Sequence, residues 1–185
     1  MNDINEKYRI KLGFLSIFVN GFSRKELYLT MVDGKEYVYV GEKSHVTKVT
    51  YNFQGVNKVK AVYEEDEQTA LWALYDGNDI LYDLQVESRI AGGGTNLIFA
   101  LIDFCFAIRE TEGIEIHRIK GEISPLDKDE NREIYRAIYE KLKREMDAGI
   151  ELKYYDVNKQ ELPLNEAAYL PKYKGKVRYL EFILP

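Results

Sequence analysis

The sequence predicts an α+β fold, a mixed and mostly antiparallel sheet flanked by helices, in one domain spanning residues 1–185. Three observations carry that reading. Apolar and polar residues alternate in short runs through the first half of the chain, as half-buried strands require. Two longer segments of the second half have helical length and helical ends. Between the two patterns stands "VESRIAGGGTNLIFALIDFCFAIRE", Val86 to Glu110, where an apolar strand meets an apolar helix across three consecutive glycines.

The strands come first. "YRIKLGF", "EYVYVGE", "HVTKVTYNF", "NKVKAVYEE", "TALWALYD" and "DILYDLQV" each alternate, and "DGN" at Asp76 to Asn78 makes a tight turn because Gly and Asn accept positive φ at little cost. Thr69 to Tyr75 and Asp79 to Val86 are therefore expected to pair antiparallel, leaving the acidic run Glu64 to Glu67 as a solvated loop. Residues 20–34 fit two patterns. Ser23 to Glu26 reads as a capping box opening a helix, whereas Tyr28, Thr30 and Val32 fit a strand; the helix is favoured. Thr95 to Arg109 is helical, with Thr95 as its N-cap, and "IEIHRIKGEIS" from Ile114 alternates again as a strand. Strand, glycines, helix and strand together imply a right-handed parallel crossover. "SPLDKDENREIYRAIYEKLKREMDAG" is acidic at its start, basic near its end and stopped by Gly149, which suits helix polarity at both termini. "IELKYYDV" and "KVRYLEFIL" close the chain as strands joined by the loop "NKQELPLNEAAYLPKYKG".

Composition narrows the function classes. With 45% hydrophobic and 31% charged residues over 185 positions, the chain has the means to bury one core. No apolar run approaches the roughly 20 residues that span a bilayer, and "MNDINEKYRIKL" lacks the basic start of a signal peptide, so a cytoplasmic protein without a membrane partner is expected. The single cysteine, Cys105, sits in "LIDFCFAI" and reads as a small buried residue. His45 and His117 are far apart and offer no zinc ligand set, so no metal is expected, and His117 reads as an ordinary strand histidine. A net charge of −5 argues against a protein that coats nucleic acid, and the basic stretches "KLKRE" and "KYKGKVR" read as solvated faces.

Glycines between a strand and a helix N-terminus let an anion approach backbone N–H groups, with the helix dipole adding attraction. A phosphate suits such a site, and a plain tight turn is the bland alternative. No lysine follows the glycines, which excludes the nucleoside triphosphate loop. Gly92 and Gly94 start a dinucleotide fingerprint, but Leu97 stands where its third glycine belongs. Arg89, Gly92 and Gly94 instead satisfy R-x-x-G-x-G after a strand and before an apolar helix. That motif, the order of elements from Thr69 to Leu184, and "IYEKL" at Ile138 to Leu142 resemble the GNAT family of acyl-coenzyme A-dependent N-acetyltransferases, over about the last 115 residues.

The resemblance implies a GNAT-like core at 65–185 behind an atypical, strand-rich part at 1–64. It implies acetyl-coenzyme A as co-substrate, an amine acceptor of open identity, and transfer of an acetyl group between them. The pyrophosphate would be held by main-chain N–H groups around Ile90, Ala91, Gly92, Gly93, Gly94 and Thr95, with Arg89 in the motif's opening position. The strand ending near Val86 would splay from the Ile114 strand and admit the pantetheine arm. Tyr139 matches the family's tyrosine, which protonates the departing thiolate; Tyr135, one turn earlier on the same face, is its rival, and a partly buried tyrosine the bland reading. Glu87 reads as a surface carboxylate beside the loop. A non-catalytic binding or regulatory module on the same fold is the competing reading, and a second copy of the chain is a further candidate partner.

Overall fold

The computed structural model describes residues 9–11, 27–31, 35–40, 46–52, 58–63, 68–89, 91–123, 131–145 and 149–185. Among the described residues eleven strands form one continuous sheet: β1 Arg9–Lys11, β2 Leu27–Met31, β3 Lys35–Val40, β4 Val46–Asn52, β5 Lys58–Tyr63, β6 Ala70–Tyr75, β7 Ile80–Glu87, β8 Arg118–Glu122, β9 Glu151–Tyr155, β10 Glu161–Leu162 and β11 Tyr179–Ile183. Strands β1 to β7 lie side by side in chain order, and the sheet continues β8, β11, β9, β10. Each neighbouring pair is antiparallel except β7 and β8, which are parallel. The protein is therefore α+β with a mostly antiparallel sheet, and every described residue before position 64 lies in a strand.

Alternation places every first-half strand listed from the sequence. Residues 20–34 are the exception: Leu27–Met31 is a strand paired with β3, so the capping-box helix is corrected there. A β-branched and aromatic "LYLT" beside a ready partner edge overrides a cap whose helix has no long apolar stripe behind it. The acidic run 64–67, His45 and Ile90 lie outside the described residues.

The β6–β7 hairpin turns as expected on Asp76 to Asp79. Asp76 Oδ1 accepts hydrogen bonds from the N–H groups of Asn78, Asp79 and Ile80, an Asx turn that closes the loop. Within β7 the pairing with β6 shifts between Trp72 and Leu74, and the pairing with β8 shifts between Leu81 and Leu84. Asp83, with φ of 54°, sits in that bulge, which turns the end of β7 away from its earlier course.

Helix α1, Gly93–Glu112, links β7 to its parallel neighbour β8. Leu97, Phe99, Leu101, Ile102, Phe104 and Ile108 are buried, and they cover Val59, Ala61, Leu71, Ala73 and Leu81 of the sheet. Cys105 lies among them, buried, as its apolar surroundings predict. The helix outruns Arg109 and stops at Gly113 in the left-handed region, where the N–H groups of Gly113 and Ile114 return to Arg109 O and Ile108 O. Consequently β8 begins at Arg118, four residues later than the alternation from Ile114 suggests. His117 precedes it, half-buried, with Nε2 3.2 Å from Glu115 Oε2.

Helix α2, Asn131–Glu145, packs on the same sheet face through Tyr135, Ile138 and Leu142, the Tyr135 ring meeting Phe182 edge-on at 6.4 Å. The loop between β9 and β11 is not structureless. It holds β10 and a short helix α3, Leu164–Tyr169, whose last carbonyls are bound by Arg132 of α2: Nη1 donates to Ala167 O and Leu170 O at 2.8 and 3.0 Å.

Candidate functional site

Parallel pairing between β7 and β8 is brief. It runs from Ile80 with Arg118 to Leu84 with Gly121 and stops, although β7 continues to Glu87. Beyond that point each strand stays with its outer neighbour: Gln85, Val86 and Glu87 pair with β6, while Glu122 pairs with Tyr179 and Ile123 N–H donates to Arg178 O. The two central strands part here, opening a notch in the middle of the sheet. Gly121 marks its floor, because a Cβ there would stand 3.4 Å from Leu84 Cβ and 3.5 Å from Leu84 O. Those distances are ordinary van der Waals contacts, so the space beside Leu84 and Leu180 would admit a Cβ.

The glycine loop lies at the end of β7 that borders the notch. Thr69, fully buried, accepts a hydrogen bond on Oγ1 from Arg89 N–H at 3.0 Å, which pins the chain as it leaves β7. Nothing in a threonine twenty positions upstream announces that contact. Gly92 then adopts φ of 75° as the helix N-cap, a conformation that excludes a side chain without strain. The cap is Gly92 rather than Thr95, and no side chain bonds to the first turn. Gly93 and Gly94 start the helix instead of preceding it, since two glycines cost helix propensity but tolerate its dihedrals.

Asn96 N–H donates to Gly92 O at 3.1 Å, the first bond of the helix. Among the described residues no hydrogen bond engages the N–H groups of Gly93, Gly94 or Thr95, and no acidic residue stands in this first turn to neutralise the dipole. Ala91 and Gly92 are exposed, Gly94 and Thr95 half-buried. A Cβ on Gly94 would meet Val86 Cγ1 at 3.5 Å and Ser88 Cβ at 3.8 Å, so it would occupy the space between the loop and the half-buried Val86. Only Gly92 is demanded by backbone conformation. Of the other two, Gly93 is buried and Gly94 is half-buried beside Val86.

Arg89 and Glu87 are both exposed, and the Arg89 side chain makes no ion pair among the described residues. Tyr139 is 8% exposed on α2. Its ring is flanked by cations, with the Arg136 guanidinium 5.2 Å and the Lys143 ammonium 5.9 Å from the ring centre. Its hydroxyl makes no hydrogen bond among the described residues. The rival Tyr135 is half-buried against Phe182 at the margin of the core, whereas Tyr139 is itself one of the buried core residues. The fold thus gathers Val86, Arg89 and Ala91 to Thr95 around one end of β7. Tyr139 stands on a separate helix over the same sheet face.

No protein-family model matches the chain, and no curated protein or solved structure matches it.

Proposed function

We propose that the loop from Ala91 to Thr95 holds the pyrophosphate of an acyl-coenzyme A and that the protein transfers the acyl group to an amine. One observation carries this reading above the others. Free first-turn amides behind a left-handed Gly92 stand beside the only parallel strand pair among the described residues, where that pair has come apart. A diphosphate gains main-chain hydrogen bonds and the dipole there, and Arg89, exposed at the loop's entrance, supplies a cation. The notch past Leu84 and Gly121 gives a thin, largely apolar arm a path between the strands, where its amide groups can pair with unmatched main-chain groups of β7.

In the transfer itself the neutral amine nitrogen bonds to the thioester carbon, the carbon–sulfur bond breaks, the nitrogen loses one proton to solvent, and the thiolate takes one. Tyr139 is the residue of this chain assigned to deliver it. Acid help of that kind is worth about 10²- to 10⁴-fold, the rest coming from alignment of the two reactants. A binding module without catalysis is the second reading. It is favoured by the five strands β1 to β5, which extend the sheet through the atypical first part of the chain.

Thermal melting with coenzyme A tests the binding step. Ligand at about 100 times its dissociation constant stabilises the native state by about 2.7 kcal/mol. The informative variant is Gly94→Glu. Its dihedrals suit any residue, its Cβ finds room beside Val86, and a carboxylate in the first turn favours the helix dipole. The variant is expected to melt at or above the parent temperature yet lose the ligand shift. A full shift retained in Gly94→Glu puts the ligand somewhere else.

A further inference from the structure

On β8, β9 and β11 the side chains alternate between two faces, and Leu180 and Phe182 take the helix side. Glu181 takes the other. It is 5% exposed, and it borders a cavity of about 320 Å³ whose walls include Arg118, Lys120, Lys159, Tyr155 and Tyr179. Three cations thus surround one carboxylate, in a chain whose net charge is −5. Lys120 and Lys159 have no carboxylate partner among the described residues. The Lys159 ammonium rests over the Tyr179 ring at 5.9 Å, and its backbone is held at φ of 60° by the Asp156 turn.

The carboxylate is half satisfied. Oε2 accepts a hydrogen bond from the Tyr155 hydroxyl at 2.8 Å, whereas Oε1, buried, accepts none and has only Arg118 Nη1 at 3.5 Å. Burial and the bond to Glu181 push the Tyr155 hydroxyl up to about 12, so it remains a donor throughout the neutral range. A buried carboxylate oxygen without a donor is costly, and the cavity is where a donor can reach it.

We infer that this cavity binds a small amphoteric anion, one carrying two acidic charges for Arg118, Lys120 and Lys159 and an ammonium group for Glu181 Oε1. Both tyrosines give its carbon chain an apolar wall. The inference stands apart from the coenzyme reading, but the two sites are close, since Gly121 lines the cavity and also floors the notch. Where the coenzyme reading holds, the nitrogen bound here is the acceptor amine once its ammonium form has passed one proton to Glu181 Oε1.

Calorimetric titration without coenzyme A separates the two proposals. The probes are L-glutamate, O-phospho-L-serine and glutarate, the last lacking the ammonium group; the first two distinguish a carboxylate from a phosphate as the acidic head. At least one of the first two is expected to bind, and glutarate about tenfold more weakly than glutamate, the worth of one charge-assisted hydrogen bond. Glu181→Gln is expected to abolish that preference. Lys159→Gly, which suits the left-handed turn, is expected to weaken every bound probe without lowering the melting temperature, and it decides the matter if Glu181→Gln does not fold. Absence of heat with all three probes at about 10 mM, glutarate matching glutamate on the parent protein, or unchanged affinity in Lys159→Gly overturns the proposal.

Discussion

Arg132 shows how single residues hold the C-terminal part together. It is 4% exposed and bridges Ala167 O and Leu170 O, while the Tyr154 hydroxyl donates to its own carbonyl. Replacing it with alanine removes the Arg132 donor from the buried Ala167 carbonyl, while Leu170 O keeps the Tyr173 N–H at 3.1 Å. The expected cost is about 2–4 kcal/mol in urea unfolding, with the coenzyme shift unaltered in whatever fraction stays folded. Tyr155 makes a pH prediction. An unfolded tyrosine titrates near 10 and the folded one at about 12, so its contribution is complete below pH about 10 and drains away as pH climbs toward 12. Tyr154, pushed up by burial, adds a loss of the same sign. Stability of Tyr155→Phe is therefore expected to fall less steeply across that window; parallel alkaline limbs contradict the assignment. None of these partnerships was legible beforehand. Each joins residues more than twenty positions apart whose types are ordinary for their places.

Elements were more legible than their ends. Strand alternation located β3 to β7, whereas β10 and α3, of two and six residues, are too short for any period to register. The bulge at Asp83 left no trace either, since aspartate is common in turns and rare in strands but unremarkable beside a tight hairpin. At α1 the apolar run gave the helix and misplaced its start, because glycines that usually end helices here begin one. The hairpin offers its own test. Partial burial pushes the Asp76 carboxyl up, but the donors from Ile80, Asn78 and Asp79 outweigh it and hold the group below the usual range. Its contribution is present above the unfolded value of about 4 and lost as pH falls through the folded one. Protection factors of the β6 and β7 amides, with the intrinsic slowing of exchange in acid divided out, are thus expected to fall as pH drops, and Asp76→Ala to show weak protection at the turn already at neutral pH.

For the whole molecule, the parallel pair β7 and β8 divides two regimes. On one side lie β1 to β7, paired antiparallel in chain order; on the other, β11 returns from the end of the chain to lie between β8 and β9. The crossover through α1 is what forces the seam, and both proposed sites lie along it, the glycine loop at its end and the Glu181 cavity one strand away. Strand-glycine-helix-strand order was readable in the sequence. That the two strands part after Leu84 and Gly121 was not, because separation depends on which outer neighbour each strand prefers. Hydrogen exchange at the main-chain amides of residues 91–95, measured with and without saturating coenzyme A, reads the seam directly. Exchange at Gly93, Gly94 and Thr95 is expected to slow on binding, together with residues 85–87 of β7. Unchanged exchange at those amides under saturation would contradict the account, whatever protection arises elsewhere.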